Sequence, residues 1–261
     1  MIQSDGIATD MLVMRGLTQL TDMGRYVVCT TPSEPDYWFG NCLIERHAPS
    51  DPAEVADRFA THFPQVSHVC IQWDLADYAM DAAAQVWFQE HGYSVEKSAF
   101  LTLAGSMKSP AMPEGLTVRA IDGDDWTSLT DLMEEIGREL GYGDSTHRTY
   151  LERRNAARRD QIARGEGQWF GVFDGDVLAA AMGIFHDDRV ARYQAVETRQ
   201  SYRRRGICSA LLKVAHDWAD ARQPGLRFVI AADADGDARR LYERAGFVPH
   251  EQITAVMRRG Y

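Results

Sequence analysis

Val196-Glu197-Thr198-Arg199-Gln200-Ser201-Tyr202-Arg203-Arg204-Arg205-Gly206-Ile207-Cys208-Ser209-Ala210-Leu211-Leu212 carries an alternating strand through a basic loop and one glycine into a helix. Ile207, Leu211, Ala215 and Trp218 fall on one face of that helix. The first backbone N–H groups of any helix have no partner within it, and its positive end attracts anions. Gly206 lets a ligand approach the backbone closely, and Arg203, Arg204 and Arg205 add charge at the same mouth. The segment therefore reads as a phosphate or pyrophosphate site. No Gly-Lys-Ser/Thr triplet exists, which excludes a P-loop, and Gly206 stands alone where a dinucleotide fingerprint needs three glycines. What survives is an R/Q-x-x-G-x-G/A loop filled by Arg203, Gly206 and Cys208.

Working outward, Leu116–Ala120 alternates as a strand, and Trp126, Leu129, Leu132, Met133, Ile136 and Leu140 step as a helix. A polar helix is expected to start near Ser145. Gln168–Phe173 and Val177–Phe185 flank the hairpin signal Asp174-Gly175-Asp176, and Arg189–Thr198 follows as a third antiparallel strand. Beyond the glycine loop come a strand at Leu226–Ala232, a helix at Asp237–Arg244 and a strand at Gln252–Met257. Pro110 and Pro113, with Gly105, Ser106, Ser109 and Gly115, punctuate the chain before this region, which predicts domains at 1–110 and 111–261.

The first part predicts strands at Arg25–Thr30 and Tyr37–Glu45, a helix at Pro52–Phe63, a strand at Val66–Trp73, a helix at Tyr78–His91 and a strand at Ser94–Leu103. That order repeats the later elements of the second part. A constant offset pairs Asp81 with Asp235, Ala84 with Ala238, Phe88 with Tyr242 and Gly92 with Gly246, which suggests duplication. Where the second part has its glycine loop, the first has Ala48-Pro49-Ser50-Asp51-Pro52, and Phe88 lacks the hydroxyl of Tyr242. Tyr37-Trp38-Phe39 reads as packing on an edge or hairpin strand.

The chain of 261 residues has 28 Lys plus Arg against 38 Asp plus Glu, a net charge of −10, with 45% hydrophobic and 25% charged residues, so a packed core is expected. Residues 1–110 hold 14 acidic and 6 basic side chains. That balance argues against a nucleic-acid partner and gives a weak hint of a cationic ligand. The basic run Arg148–Arg164 reads as a solvated helix face, and Glu134, Glu135 and Glu139 as solvated carboxylates. No apolar run is long enough to span a membrane and no leader is visible, so a cytoplasmic location is expected. Cys29, Cys42, Cys70 and Cys208 are far apart and no histidine pair has ligand spacing, which supports neither a disulfide framework nor a metal site.

Three features in order, the Leu116–Ala120 opening before an acidic helix start, the Arg203–Leu212 loop and helix, and Asp235-x-x-Ala238-x-x-Leu241-Tyr242-Glu243-x-x-Gly246-Phe247, resemble the GNAT superfamily of acyl-CoA-dependent N-acetyltransferases over residues 116–261. The resemblance implies an α/β fold (α+β) with a mixed, mostly antiparallel, V-splayed sheet flanked by helices. It implies a complete C-terminal copy and a partial N-terminal copy that has lost its cofactor site. It further implies that backbone amides from Arg204 through Ile207 and Cys208 to Ser209 hold the coenzyme A pyrophosphate, and that Val196–Thr198 pairs with the pantetheine arm. Asp235 stands where the family often has Asn, either contacting that arm or capping the helix that carries Ala238. Tyr242 is implied near the thioester sulfur as general acid, a role its phenol can fill.

Alternation turns Glu197 opposite to Val196 and Thr198, where it is a candidate general base beside the competing reading of a structural carboxylate. Cys208 replaces a small Gly or Ala and reads as packing rather than as a reactive thiol. The expected activity is acetyl transfer from acetyl-CoA to a primary amine, small-molecule or peptide, without metal. A non-catalytic acyl-CoA-binding regulatory or interaction protein remains the alternative. Neither the acceptor, the acyl length nor the oligomeric state is legible.

Overall fold

The computed structural model describes residues 2–141 and 146–259. Eleven strands and seven α-helices alternate along these residues, giving the expected mixed α/β fold. The chain divides into two compact units, and neither is one continuous stretch. The first is 1–100 with 231–239 and 249–261; the second is 101–230 with 240–248.

In the first unit, α1 (Asp5–Val13) precedes β1 (Gln19–Asp22), β2 (Tyr26–Thr30), β3 (Cys42–Glu45), α2 (Pro52–His62), β4 (His68–Trp73), α3 (Ala82–Glu90) and β5 (Ser94–Leu103). β1, β2 and β3 are antiparallel in turn, and β3 then runs parallel to β4, pairing Leu43 with Ile71. The C-terminal strand β11 (Phe247–Arg259) pairs antiparallel with β4, Met257 opposite Cys70. Its core gathers Leu43, Phe59, Ile71, Trp73, Phe88 and Val256.

Sequence pattern places these elements to within a few residues, with two exceptions. α1 and β1 escape the periodicity reading; α1 mixes Asp5, Thr9 and Asp10 with its apolar residues without gathering either on one face, and β1 is exposed throughout, so neither shows a period. Trp38–Gly40 is a short 3₁₀ turn rather than strand, because Asn41 gathers the carbonyls of Glu34 and Tyr37 and ties the loop to itself. Trp38 there stacks on His68 at 5.1 Å, while Phe39 is 37% exposed.

In the second unit, β6 (Thr117–Ala120), β7 (Gly167–Asp174), β8 (Val177–His186) and β9 (Val190–Thr198) form an antiparallel ladder, with α4 (Asp125–Glu139) and α5 (His147–Ala163) between the first two. Ser145, the expected start of the polar helix, lies outside the described residues, and α5 begins at His147. α6 (Ile207–Arg222) follows β9 and leads to β10 (Arg227–Asp233), which runs parallel to β9. That parallel ladder pairs only Val190–Arg192 with Arg227–Val229, whereas β9 continues to Thr198. The far part of β9 therefore leaves the ladder, the splay expected of the fold. α7 (Asp237–Ala245) comes next. Each unit thus builds antiparallel strands onto one parallel strand–helix–strand crossover, β3–α2–β4 and β9–α6–β10.

Candidate functional site

Gly206 stands at the start of α6 with φ +79°, no side chain caps the helix, and its first internal bond runs from Ala210 N–H to the Gly206 carbonyl. The preceding N–H groups are left for a ligand. Arg204 also adopts a positive φ of +62°, a strained conformation for a side-chain-bearing residue. A Cβ on residue 206 would approach the Pro110 ring to 3.1 Å, so glycine suits the position twice, by backbone angle and by space.

The loop is fastened from below. Arg199 donates Nε to the Leu178 carbonyl at 2.8 Å and pairs with Glu135; Arg203 donates Nε to the Thr198 carbonyl at 2.9 Å and pairs with Glu139. Glu135 and Glu139 sit one turn apart on α4, so they hold both arginines from one helix face. These two, and Glu134 with Arg148, are ion-paired while keeping part of the solvent exposure expected of them. Arg203 is thereby a strut whose side chain is still 40% exposed, and Arg204 and Arg205 are further exposed cations at the mouth, with Arg205 lying over the Tyr202 ring at 5.4 Å.

β9 carries a feature that sequence reasoning missed. Its register to β8 runs Gln194 opposite Gly183 but Glu197 opposite Ala181, so Ala195 and Val196 both face Met182. This is a β-bulge, with Ala195 at φ +42°. A bulge leaves one residue's backbone groups outside the ladder. Alanine gives no signal for a positive φ, so only the register reveals it.

Beyond the bulge, Glu197 turns toward α5. Its Oε2 is buried without a hydrogen-bond partner, and burial raises the carboxyl pKa from 4.5 to about 7, with the Arg158 guanidinium drawing it partly back. Arg158 lies 4.5 Å over the Trp169 indole and donates to Asn155 Oδ1 at 2.7 Å. Arg154 and Asn155 are buried as well, which corrects the solvated reading of this basic helix: its inner face packs on an indole and on Thr130. Trp169 has room because residue 183 is glycine; a Cβ there would come within 2.4 Å of its ring.

Tyr242 is 5% exposed on α7, 6.3 Å from the Phe247 ring. Burial foremost, then the neighbouring Cys208, push its hydroxyl pKa well above the ordinary value of 10, while Arg192 opposes them. The phenol therefore stays protonated and able to donate. The Cys208 thiol is pushed up to about 12 by burial, so it stays a thiol. Packing, not reactivity, explains it.

The second unit thus brings together Val196, Glu197, Thr198, the Arg203–Ser209 loop and Tyr242. Asp235 and Ala238 are exposed; Asp235 N–H donates to Asp233 at 3.1 Å, and Ala238 lies about one turn before Tyr242 on α7. At the corresponding helix of the first unit, Asp51 caps α2 by accepting from Ala53 N–H at 2.9 Å, with Pro52 next. A carboxylate occupies the helix end where an anion would bind. Phe88 there is fully buried against Trp73 and Tyr93. No group of metal-ligating side chains gathers among the described residues.

Residues 127–247 match the acetyltransferase (GNAT) family. No curated protein shows significant sequence similarity to the chain. Among solved structures, a conserved protein of unknown function from Staphylococcus epidermidis superposes with a TM-score of 0.75 at 12% identity, over 92% of this chain and 93% of that one. A GCN5-related N-acetyltransferase from Kribbella flavida gives 0.60 at 17% identity, over 99% and 97%. A tandem GNAT protein from the clavulanic acid biosynthesis pathway gives 0.58 at 12%, over 99% and 89%. At these identities the likeness concerns the fold, which is a tandem GNAT-like one over nearly the whole chain.

Proposed function

We propose that the GNAT acetyltransferase domain carried by residues 127–247 moves an acetyl group from acetyl-CoA to a primary amine by direct attack in a ternary complex. The observation that carries this reading is one strand, β9, in which half-buried Glu197 holds its Oε2 buried without a partner immediately after a bulge at Ala195 and Val196 that leaves one residue's backbone groups outside the ladder. The uncapped α6 terminus with Gly206 and the exposed Arg204 and Arg205 fit a pyrophosphate. The donor's thioester supplies the activated acyl carbon.

Glu197, with a pKa near 7, accepts a proton from the ammonium form of the acceptor and leaves a nucleophilic amine. As the amine nitrogen bonds to the acyl carbon, a backbone donor at the bulge stabilises the developing negative charge on the carbonyl oxygen. The carbon–sulfur bond then breaks, Tyr242 gives its proton to the departing thiolate, and the nitrogen gives its surplus proton to the tyrosinate so formed, which leaves a neutral amide and a neutral tyrosine. Burial keeps the tyrosine protonated at neutral pH, so a hydroxyl donor is present when the sulfur leaves. Cys208, held as a thiol, offers no covalent route.

The test is calorimetric titration of the full chain with acetyl-CoA, followed by thiol release with a panel of amines. One donor site per chain and amine-dependent release of coenzyme A are expected. Two sites would overturn the loss of the first unit's cofactor end, no binding would overturn the whole reading, and binding without turnover would favour an acyl-CoA-responsive regulator.

A further inference from the structure

The first unit holds a surface cavity of about 250 Å³ that the chemistry above does not use. On one side α2 presents Ala53, Ala56, Asp57 and Ala60. Three methyl groups at helical spacing leave open space that larger side chains would fill. Trp87 and Tyr93 form the opposite wall, and the Trp87 indole is held by stacking on His91 at 3.9 Å.

β11 closes the cavity with Arg258, whose position is fixed three ways. Its stem passes over Gly92, its guanidinium lies 4.6 Å over the Tyr93 ring, and Nη1 donates to the His91 carbonyl at 3.2 Å. Its Nε is buried without a hydrogen-bond partner. Asp57 lines the same cavity, and both charges act on the Tyr93 hydroxyl from nearby, yet they form no ion pair with each other. His91 is exposed at the rim.

A preorganised guanidinium and a separate, exposed carboxylate, both lining one otherwise largely apolar cavity, complement a ligand that carries both charges. A lone anion would leave Asp57 opposed to it, and a lone cation would meet Arg258. We infer that this cavity binds a free α-amino acid with an aliphatic side chain: its carboxylate accepts from Arg258, its ammonium lies toward Asp57, and its side chain packs on the alanines of α2. The site is independent of the acetyl-transfer chemistry.

The experiment is calorimetry of the full chain with L-leucine, and with leucinamide and N-acetyl-L-leucine, each of which lacks one charge. Leucine is expected to bind at one site per chain, with each derivative at least tenfold weaker. Arg258→Met and Asp57→Asn are each expected to weaken leucine at least tenfold while the melting temperature and the acetyl-CoA titration stay unchanged. The inference is overturned by absence of leucine binding at millimolar concentration, by equal binding of either derivative, or by binding that survives both substitutions. Loss of leucine binding in Glu197→Gln alone would move the amino acid to the acceptor position and overturn it as well.

Discussion

Replacing Glu197 by glutamine is expected to move stability and activity in opposite directions. Burial carries the carboxyl pKa from 4.5 to about 7, so the folded protein opposes its ionisation by about 3 kcal/mol, at about 1.4 kcal/mol per pH unit. Between those two values the folded state keeps a proton that the unfolded state has released. Stability therefore falls as pH rises through that window and is level above it. Glutamine keeps the shape and cannot ionise. At pH 8 it removes the penalty and stabilises the second unit by up to about 3 kcal/mol, which at about 2–4 °C per kcal/mol raises the melting midpoint by at most roughly 12 °C. Below pH 4 the two proteins melt together. Turnover moves the other way: loss of a positioned base lowers kcat about 100- to 10,000-fold, and the limb of kcat/KM that rises through pH 7 in the parent protein disappears. Thermal melts at pH 4 and pH 8, beside initial rates from pH 5.5 to 9, check both halves. A variant less stable at pH 8 would refute the reasoning by showing a carboxylate held by hydrogen bonds, and a pH 7 limb that persists in the variant would assign the base elsewhere.

Tyr242→Phe keeps the ring against Phe247 and removes only the donor, so kcat should fall about 100-fold or more while the acetyl-CoA Kd, read by calorimetry, stays within threefold. Gly206→Ala places a Cβ at a positive φ and against Pro110; it should cost about 1–2 kcal/mol of stability in denaturant melts and weaken acetyl-CoA at least tenfold. Asp51→Ala removes the cap of α2 and should destabilise the first unit by about 1 kcal/mol without changing the rate of acetyl transfer, as paired melts and assays would show. The Cys208 thiol, held near 12, should resist iodoacetamide at pH 8 in the folded protein and react on unfolding, followed by mass spectrometry.

Much of the site was legible in the chain because it rests on local rules. A glycine before an amphipathic helix, arginines beside it and a tyrosine on the next helix are features of neighbouring residues, and they fall where the pattern puts them. The roles within the loop were not legible. Arg203 and Arg204 are adjacent and identical in kind, yet one is a strut on Glu139 and Thr198 while the other is an exposed cation at a positive φ. That difference is set by α4, some sixty residues earlier.

The sequence by itself determined the order of the elements other than α1 and β1, the glycine before α6 and its absence before α2, because periodicity, turn chemistry and helix ends act over a few residues. Only the tertiary structure decided the bulge at Ala195, the burial of Glu197 without a partner, and the packing of Arg154 and Arg158 inward. Each depends on strands and helices far apart in the chain. Register is a property of two strands, and desolvation is a property of everything packed around a group, so neither is written in the residues that display it. The same holds for the C-terminal strand: its apolar alternation marks it as β-structure, but its pairing with β4 is settled by which sheet edge it meets.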